Sequence, residues 1–239
     1  MVRAVLFDWG DTLMRWAWEP ALLDAGHDAG LRAIGREPVP AVTARFRDVY
    51  LPLLWVPGTL EEIEYPGLVR RLLAEAGIEV DDGELERFLE AEHAAWHPAR
   101  MLASTTHALL DALRDRGLRT GLVSNALDPP ELLHRDLDEL GVAERLDVAV
   151  FSSEIGWRKP HPAIFEHAVE AIGVDAPDVL FVGDTLATDV AGAAALGMKT
   201  CQALWFRADD DRDAPEPDFQ AFTQMDVLTI VNRIGVFRS

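Results

Sequence analysis

The sequence predicts an α/β fold, a doubly wound parallel sheet with an all-helical module inserted after its first strand. Three observations predict it. Short apolar runs at residues 2–7, 118–123, 148–151, 179–182 and 199–204 alternate with segments of helical period. Alternation of this kind builds a parallel sheet with helices on both faces. One long block, residues 19–97, departs from that rhythm and carries helical patterns alone. Finally, several apolar runs end abruptly in polar or acidic residues, and open α/β sheets place their chemistry just beyond such strand tips.

The elements follow in order. Residues 2–7 form a buried strand that delivers Asp8 to its C-terminal tip. Gly10-Asp11-Thr12 then makes a tight polar turn with backbone N–H groups open to an anion. Helices are expected over 19–36, 41–55, 60–76 and 83–96, punctuated by Pro38, Pro40, Pro57-Gly58 and Asp81-Asp82-Gly83. A helix at 105–116 leads into strand 118–123, and a helix at 130–140 into strand 148–151. A helix at 162–171 precedes strand 179–182, and one at 187–196 precedes strand 199–204. The acidic stretch 209–217 reads as a solvated loop. The expected organisation is a core of residues 1–14 and 100–239 with a helical insertion at 15–99.

Composition narrows the function. The chain has 239 residues, 49% of them hydrophobic, enough for a packed core. Its net charge of −19 disfavours nonspecific nucleic-acid binding and attachment to anionic membranes. An anionic small molecule would need a metal or local cations. Met1-Val2-Arg3 runs directly into the first strand, and no apolar run is long enough to span a membrane, so a cytoplasmic protein is expected. The single cysteine, Cys201, lies within an apolar strand and reads as a buried structural thiol. Lysine occurs only at Lys159 and Lys199 in a chain that otherwise uses arginine. Such a chain keeps lysine where a compact point charge matters.

Four strand tips carry matching chemistry. They are Asp8, Ser124-Asn125, Lys159 in the loop before the 162–171 helix, and Asp184. A carboxylate nucleophile, a hydroxyl and amide pair, a lysine and a metal-binding acid pair suit a phosphoryl group. Asp8 would attack phosphorus, Ser124 and Asn125 would hold nonbridging oxygens, and Lys159 would neutralise charge. Asp184 with Asp8 would hold Mg²⁺.

With these motifs in order, the chain resembles the haloacid dehalogenase (HAD) superfamily of hydrolases. The resemblance spans the whole chain. Its motifs are Asp8-Trp-Gly-Asp-Thr12, Ser124-Asn125, Lys159 in Gly-Trp-Arg-Lys-Pro-His-Pro, and Gly183-Asp184-Thr-Leu-Ala-Thr-Asp189. It implies a Rossmann-like core, a helical cap that sets substrate choice, Mg²⁺ dependence and an aspartyl-phosphate intermediate. It further implies that the Gly10 carbonyl is a metal ligand, and that Asp189 holds the metal's water shell or Lys159.

One position departs from the pattern. Phosphatases of this superfamily carry a second aspartate two residues after the nucleophile, where it protonates the leaving oxygen. Here that position is Gly10. Asp11 is the nearest candidate to replace it, against the plainer reading that Asp11 caps the turn or pairs with Arg15. Losing a general acid costs ~10²–10⁴ in rate.

The remaining candidates have structural readings. His161 caps the helix it opens. His93, His97 and His107 lie near the end of the insertion without the other ligands a zinc site needs. Trp16, Trp18, Trp55 and Trp96 pack the insertion or its seam, with Trp16 and Trp18 placed to line a pocket. The leading function is a Mg²⁺-dependent phosphatase acting on a small phosphorylated metabolite. A 2-haloacid dehalogenase also uses an aspartate nucleophile, and halide leaves without a proton. A phosphonate-cleaving enzyme would need an insertion lysine for a Schiff base, and none precedes Lys159. A noncatalytic metal- and phosphate-binding protein is the fourth reading.

Overall fold

The computed structural model describes residues 1–52, 59–206 and 213–236. Residues 53–55 of the expected 41–55 helix, Trp55, the Pro57-Gly58 break and residues 209–212 of the acidic loop lie outside the described residues.

Strand β1 (Ala4–Phe7) is fully buried along its length. Its side chains alternate between two cores. Val5 and Phe7 join one apolar cluster, Ala4 and Leu6 the other. A strand buried on both faces is what a parallel sheet requires at its centre. β2 (Met14–Trp16) follows a short turn, and then the chain enters the helical block. There α1 (Pro20–Ala33), α2 (Pro40–Arg45), α3 (Tyr65–Glu75) and α4 (Asp82–Ala95) enclose a separate apolar cluster. The expected helix at 41–55 is shorter than its pattern, since α2 passes into a π-helical turn at Phe46–Tyr50. α4 starts on a capping box between Asp81 and Glu84.

Helices α1 and α4 approach closely because α1 presents glycine at the contact. A Cβ on Gly30 would stand 2.7 Å from the Phe88 ring, and one on Gly26 would stand 2.5 Å from Trp96 Nε1. The block returns to the core through β3 (Arg100–Leu102), which pairs antiparallel with β2. This ribbon has Trp16 opposite Arg100. Three-residue strands carry no readable period, which is why the sequence did not predict them.

The core then alternates as expected. α5 (Thr106–Arg114) leads to β4 (Arg119–Ser124), and α6 (Pro130–Glu139) leads to β5 (Val148–Phe151). The short α7 (Ser152–Ile155) and α8 (Pro162–Ile172) precede β6 (Val179–Gly183). A π-helical turn at Leu186–Val190 and α9 (Ala191–Ala195) replace the regular helix expected at 187–196. β7 (Lys199–Ala203) follows. Like β2, β3 and α7, the elements β8 (Phe219–Ala221) and α10 (Asp226–Ile234) have no counterpart in the sequence reading.

The six strands pair in the order β5-β4-β1-β6-β7-β8, all parallel. α8 and α9 pack one face; α5, α6 and α10 pack the other. From β1 the chain order runs outward in both directions, to β4 on one side and β6 on the other. In open α/β sheets ligands bind at such a switch point, beyond the C-terminal ends of the strands. Cys201 is buried in β7, and burial with Asp226 nearby pushes its thiol up to about 12, so it is inert. No helix among the described residues is long and apolar enough to cross a membrane.

Candidate active site

The four predicted tips meet at this switch point. Asp8 follows β1, and its N–H donates to Val182 O of β6 at 2.9 Å, which fixes the strand end. Lys159 Nζ lies 2.5 Å from Asp8 Oδ1 and 2.7 Å from Asp189 Oδ1. Asp8, Asp184 and Asp189 offer carboxylate oxygens that all lie within 4.8 Å of one another. The four side chains are buried together.

The local chain explains this convergence. Asp189 sits in the π-helical turn after β6, and its Oδ2 accepts from the Thr185 N–H at 3.0 Å. π-turns aim side chains that a regular helix would point elsewhere. Gly183 makes room, because a Cβ there would stand 2.4 Å from Asp189 Cγ. The Thr12 carbonyl, in the turn after Asp8, accepts from Trp205 Nε1 and Gln224 Nε2. Both residues come from far along the chain and were not anticipated. Only a contact map could have linked them to the turn.

The electrostatics are unbalanced. Three buried carboxylates, Asp8, Asp184 and Asp189, gather around the Lys159 ammonium. Burial pushes the Asp8 carboxyl up to about 7; Lys159 opposes the rise, while Asp189 and Asp184 add to it. Lys159 is held above its ordinary range. Burial acts against its charge, but Asp189 and Asp8 outweigh it. Such an all-oxygen, excess-acid set fits a hard divalent cation.

Ser124 is buried at the tip of β4. Asn125 does something the sequence reading did not assign. Its Oδ1 accepts from the Lys159 N–H at 2.7 Å, and its Nδ2 donates to the Lys159 carbonyl at 3.1 Å. It therefore braces the lysine loop. Gly10 sits two residues past Asp8, outside the left-handed region, and a Cβ there would meet nothing within 4 Å. The positive φ belongs to Asp11, at 53°, whose Oδ1 accepts from the Trp16 N–H at 3.0 Å. Asp11 thus caps the turn that leads into β2.

His161 caps α8 as expected, its Nδ1 accepting from the Ala163 N–H, and its ring stacks on Trp157 at 3.9 Å. Trp16 and Trp18 stack at 6.0 Å, with Trp96 edge-on to Trp18. Trp16 packs against the apolar clusters of both sheet and helical block, Trp96 lies in the helical block's cluster, and Trp18 stays exposed. The seam between helical block and sheet holds a buried polar network. His93 of α4 contacts Asp128 at 2.7 Å and Asp136 of α6 at 3.1 Å, and Arg100 of β3 contacts Asp136 at 2.8 Å. His97 lies 3.5 Å from both Asp136 and Glu139. The sequence did not show these partners, because Asp128 precedes α6 and Asp136 and Glu139 lie in it, across the seam. His107 lies apart, 2.8 Å from the Leu140 carbonyl.

Comparisons with known proteins bear on this arrangement. A family model described as haloacid dehalogenase-like hydrolase matches residues 2–197. The chain is 32% identical to a phosphoglycolate phosphatase of Xylella fastidiosa, across 99% of this chain and 94% of that protein. It is 27% identical to a phosphoserine phosphatase of Thermus thermophilus, across 90% of this chain and 94% of that one. Among solved structures it resembles the magnesium-bound HAD-hydrolase YfnB of Bacillus subtilis, with a TM-score of 0.66 and 19% identity. That match spans 97% of this chain and 99% of YfnB.

Proposed function

The chain belongs to the haloacid dehalogenase-like hydrolase family, and from that membership we propose that it is a Mg²⁺-dependent phosphatase acting on a small phosphorylated metabolite. The observation that carries this reading is the buried contact of Lys159 Nζ with Asp8 and Asp189 beside Asp184. The phosphatase names of its relatives support the reaction class. Residues 15–99 act as the cap over a core of residues 1–14 and 100–239. The single buried thiol suits a cytoplasmic location.

Asp8 attacks phosphorus, the bond to the leaving oxygen breaks, and the phosphoryl group is carried as an aspartyl phosphate. Water then cleaves that acyl phosphate and returns the carboxylate. Lys159 holds the nucleophile in its ionised form and lowers repulsion with the incoming dianion. Ser124 binds a nonbridging oxygen, and Asn125 holds Lys159 in place. Asp8, Asp184 and the Gly10 carbonyl would hold Mg²⁺, which when bound screens the negative charge between carboxylate and phosphate, with Asp189 behind as the partner of Lys159. No side chain stands at residue 10 to protonate the leaving oxygen. Asp11 is committed to the Trp16 amide, so the proton comes from water and good leaving groups are favoured.

The test is hydrolysis of p-nitrophenyl phosphate with and without Mg²⁺, with acid-quench capture of phosphorylated enzyme. Asp8→Asn should abolish both turnover and capture while the fold persists. Turnover within about tenfold of wild type in that variant would remove Asp8 from the mechanism. Gly10 also suits a 2-haloacid dehalogenase, since halide departs without a proton. The buried excess of carboxylates weighs against it, because that chemistry needs no cation. Halide release from a 2-haloacid in metal-free buffer, with no phosphatase activity, would favour it.

A further inference from the structure

The helical insertion touches the core at a second place, far in sequence from the β2–β3 ribbon. Residues 60–62 lie along the loop that leads to Lys159. Glu61 and Trp157 form an antiparallel bridge. The Glu62 N–H donates to Gly156 O at 2.9 Å, and the Arg158 N–H donates to Leu60 O at 2.7 Å. Glu62 then turns its side chain into the core, where only 5% of it stays exposed. Its Oε2 accepts from the Ser152 hydroxyl and lies 3.7 Å from Arg158 Nε, while Oε1 accepts from the Ile63 N–H at 2.9 Å.

Ser152 extends the connection. Its Oγ accepts from the Ala126 N–H at 2.8 Å. Ala126 follows Asn125, and Asn125 holds both backbone polar atoms of Lys159. The contacts therefore close a circuit. One arm runs from Glu62 through Ser152 to the Ser124-Asn125 loop. The other runs through Leu60 and Arg158 to Lys159. Both arms start from the same three residues of the insertion.

We propose that Glu62 is a positioning residue, coupling the seating of the insertion on the sheet to the placement of Asn125 and Lys159. A buried carboxylate is tolerated only with its hydrogen bonds in place. If segment 60–62 lifts away, Glu62 returns to water, the Ser152 hydroxyl keeps only the Ala126 carbonyl at 3.2 Å as acceptor, and the Arg158 N–H loses Leu60. The loops that hold Lys159 and Asn125 then loosen together. The site is assembled when the insertion is seated and slack when it is not, which confines full reactivity to the closed arrangement. This inference rests on the reading of Lys159 as a phosphate-handling residue.

The test uses the full chain carrying Glu62→Ala, Glu62→Gln, Ser152→Ala, and the Glu62→Ala/Ser152→Ala pair. The first readout needs no turnover. Amide hydrogen exchange at Ala126, Arg158 and Lys159 should quicken in Glu62→Ala and Ser152→Ala, and return towards wild type in Glu62→Gln, which keeps an acceptor for Ser152. The second readout is p-nitrophenyl phosphate hydrolysis with Mg²⁺, a substrate too small to depend on cap contacts. There kcat should fall about ten- to a hundredfold, with KM within about threefold of wild type. The double variant should be no slower than the slower single, because both cut one circuit. Unchanged exchange together with unchanged kcat would overturn the proposal. So would a lower melting temperature with normal kcat below it, or a rise in KM alone. Should Glu62→Ala fail to fold, Glu62→Gln and Ser152→Ala decide the matter by the same readouts. A wild-type enzyme with no phosphatase activity sinks the proposed function, yet the exchange measurements still decide whether Glu62 couples the two loops.

Discussion

Asn125 grips the backbone of Lys159 at both of its polar atoms, accepting from the N–H at 2.7 Å and donating to the carbonyl at 3.1 Å. A side-chain amide suits this grip, since it offers a donor and an acceptor side by side to the N–H and C=O of one residue. The pair ties the tip of β4 to the loop before α8, so the lysine is set from two strands at once.

Replacing that amide by a carboxylate keeps its shape and loses the donor. Asn125→Asp should therefore set an oxygen against the Lys159 carbonyl and shift the loop. We expect kcat for p-nitrophenyl phosphate to fall by about ten- to a hundredfold with little change in KM. An effect confined to KM would mean that Asn125 contacts substrate instead.

Lys159→Arg tests whether charge alone suffices. Nζ sits 2.5 Å and 2.7 Å from two buried carboxylates, with the Phe181 ring centre 5.7 Å away. A planar guanidinium cannot take the place of a point charge in that space. The variant should lose about a hundredfold or more in kcat. Kinetics close to wild type would show that only net charge matters there.

Gly10→Asp should gain activity. The position has open space and lies outside the left-handed region, so a side chain is accepted without strain. The wild-type rate should rise steeply as leaving-group pKa falls. The variant should flatten that dependence and speed alkyl phosphate hydrolysis by up to ~10²–10⁴. A folded variant with an unchanged dependence would mean that another group already supplies the proton.

Gly183 is the opposite case. A Cβ there would collide with Asp189 at 2.4 Å. Gly183→Ala should push Asp189 off Lys159 and weaken Mg²⁺ binding by about ten- to a hundredfold, the usual effect of disturbing groups behind a metal site. Calorimetric titration with Mg²⁺ checks this, and an unaltered affinity would show that the turn can shift without loss.

The seam network gives a pH dependence. His93 is raised above 6.5; burial opposes its charge, but the hydrogen bonds to Asp128 and Asp136 prevail. Asp136 is lowered below 3.8, because His93 and Arg100 outweigh its burial. Stabilisation from His93 is complete below 6.5 and is lost as pH rises through its raised value. Stabilisation from Asp136 is present above 3.8 and is lost as pH falls below it. The melting temperature should decline as pH rises above 6.5 through the raised His93 value, and His93→Asn should remove that decline. An equal slope in the variant would place the titrating group elsewhere.

Much of this site is legible in the sequence because β-strand tips are sharp. An apolar run that stops at Asp8 or Gly183-Asp184 marks both a strand end and its first polar residue, and parallel pairing brings such ends together. What escapes are relationships across long separations. Glu62 stands among Glu61 and Glu64 and looks like part of a solvated face, yet its side chain is buried against Ser152. The hold of Asn125 on the Lys159 backbone is hidden because nothing local shows that loop opposite it. β2, β3 and β8 are too short for any period to emerge. The turn at Leu186–Val190 looks like plain helix because π and α windings share one hydrophobic pattern.

The β2–β3 ribbon has a wider consequence. Trp16 and Arg100 are cross-strand partners, so the chain departs from the core and returns to it along one two-stranded ribbon. To the sheet, that long excursion is equivalent to a hairpin. Its length adds little to the entropy of bringing β1 and β4 together, provided the ribbon forms. The helices can then be lengthened or exchanged without moving Asp8, provided the new module keeps a counterpart of residues 60–62 against the Lys159 loop. An architecture of this kind lets selectivity diversify while the reacting carboxylate stays where it is.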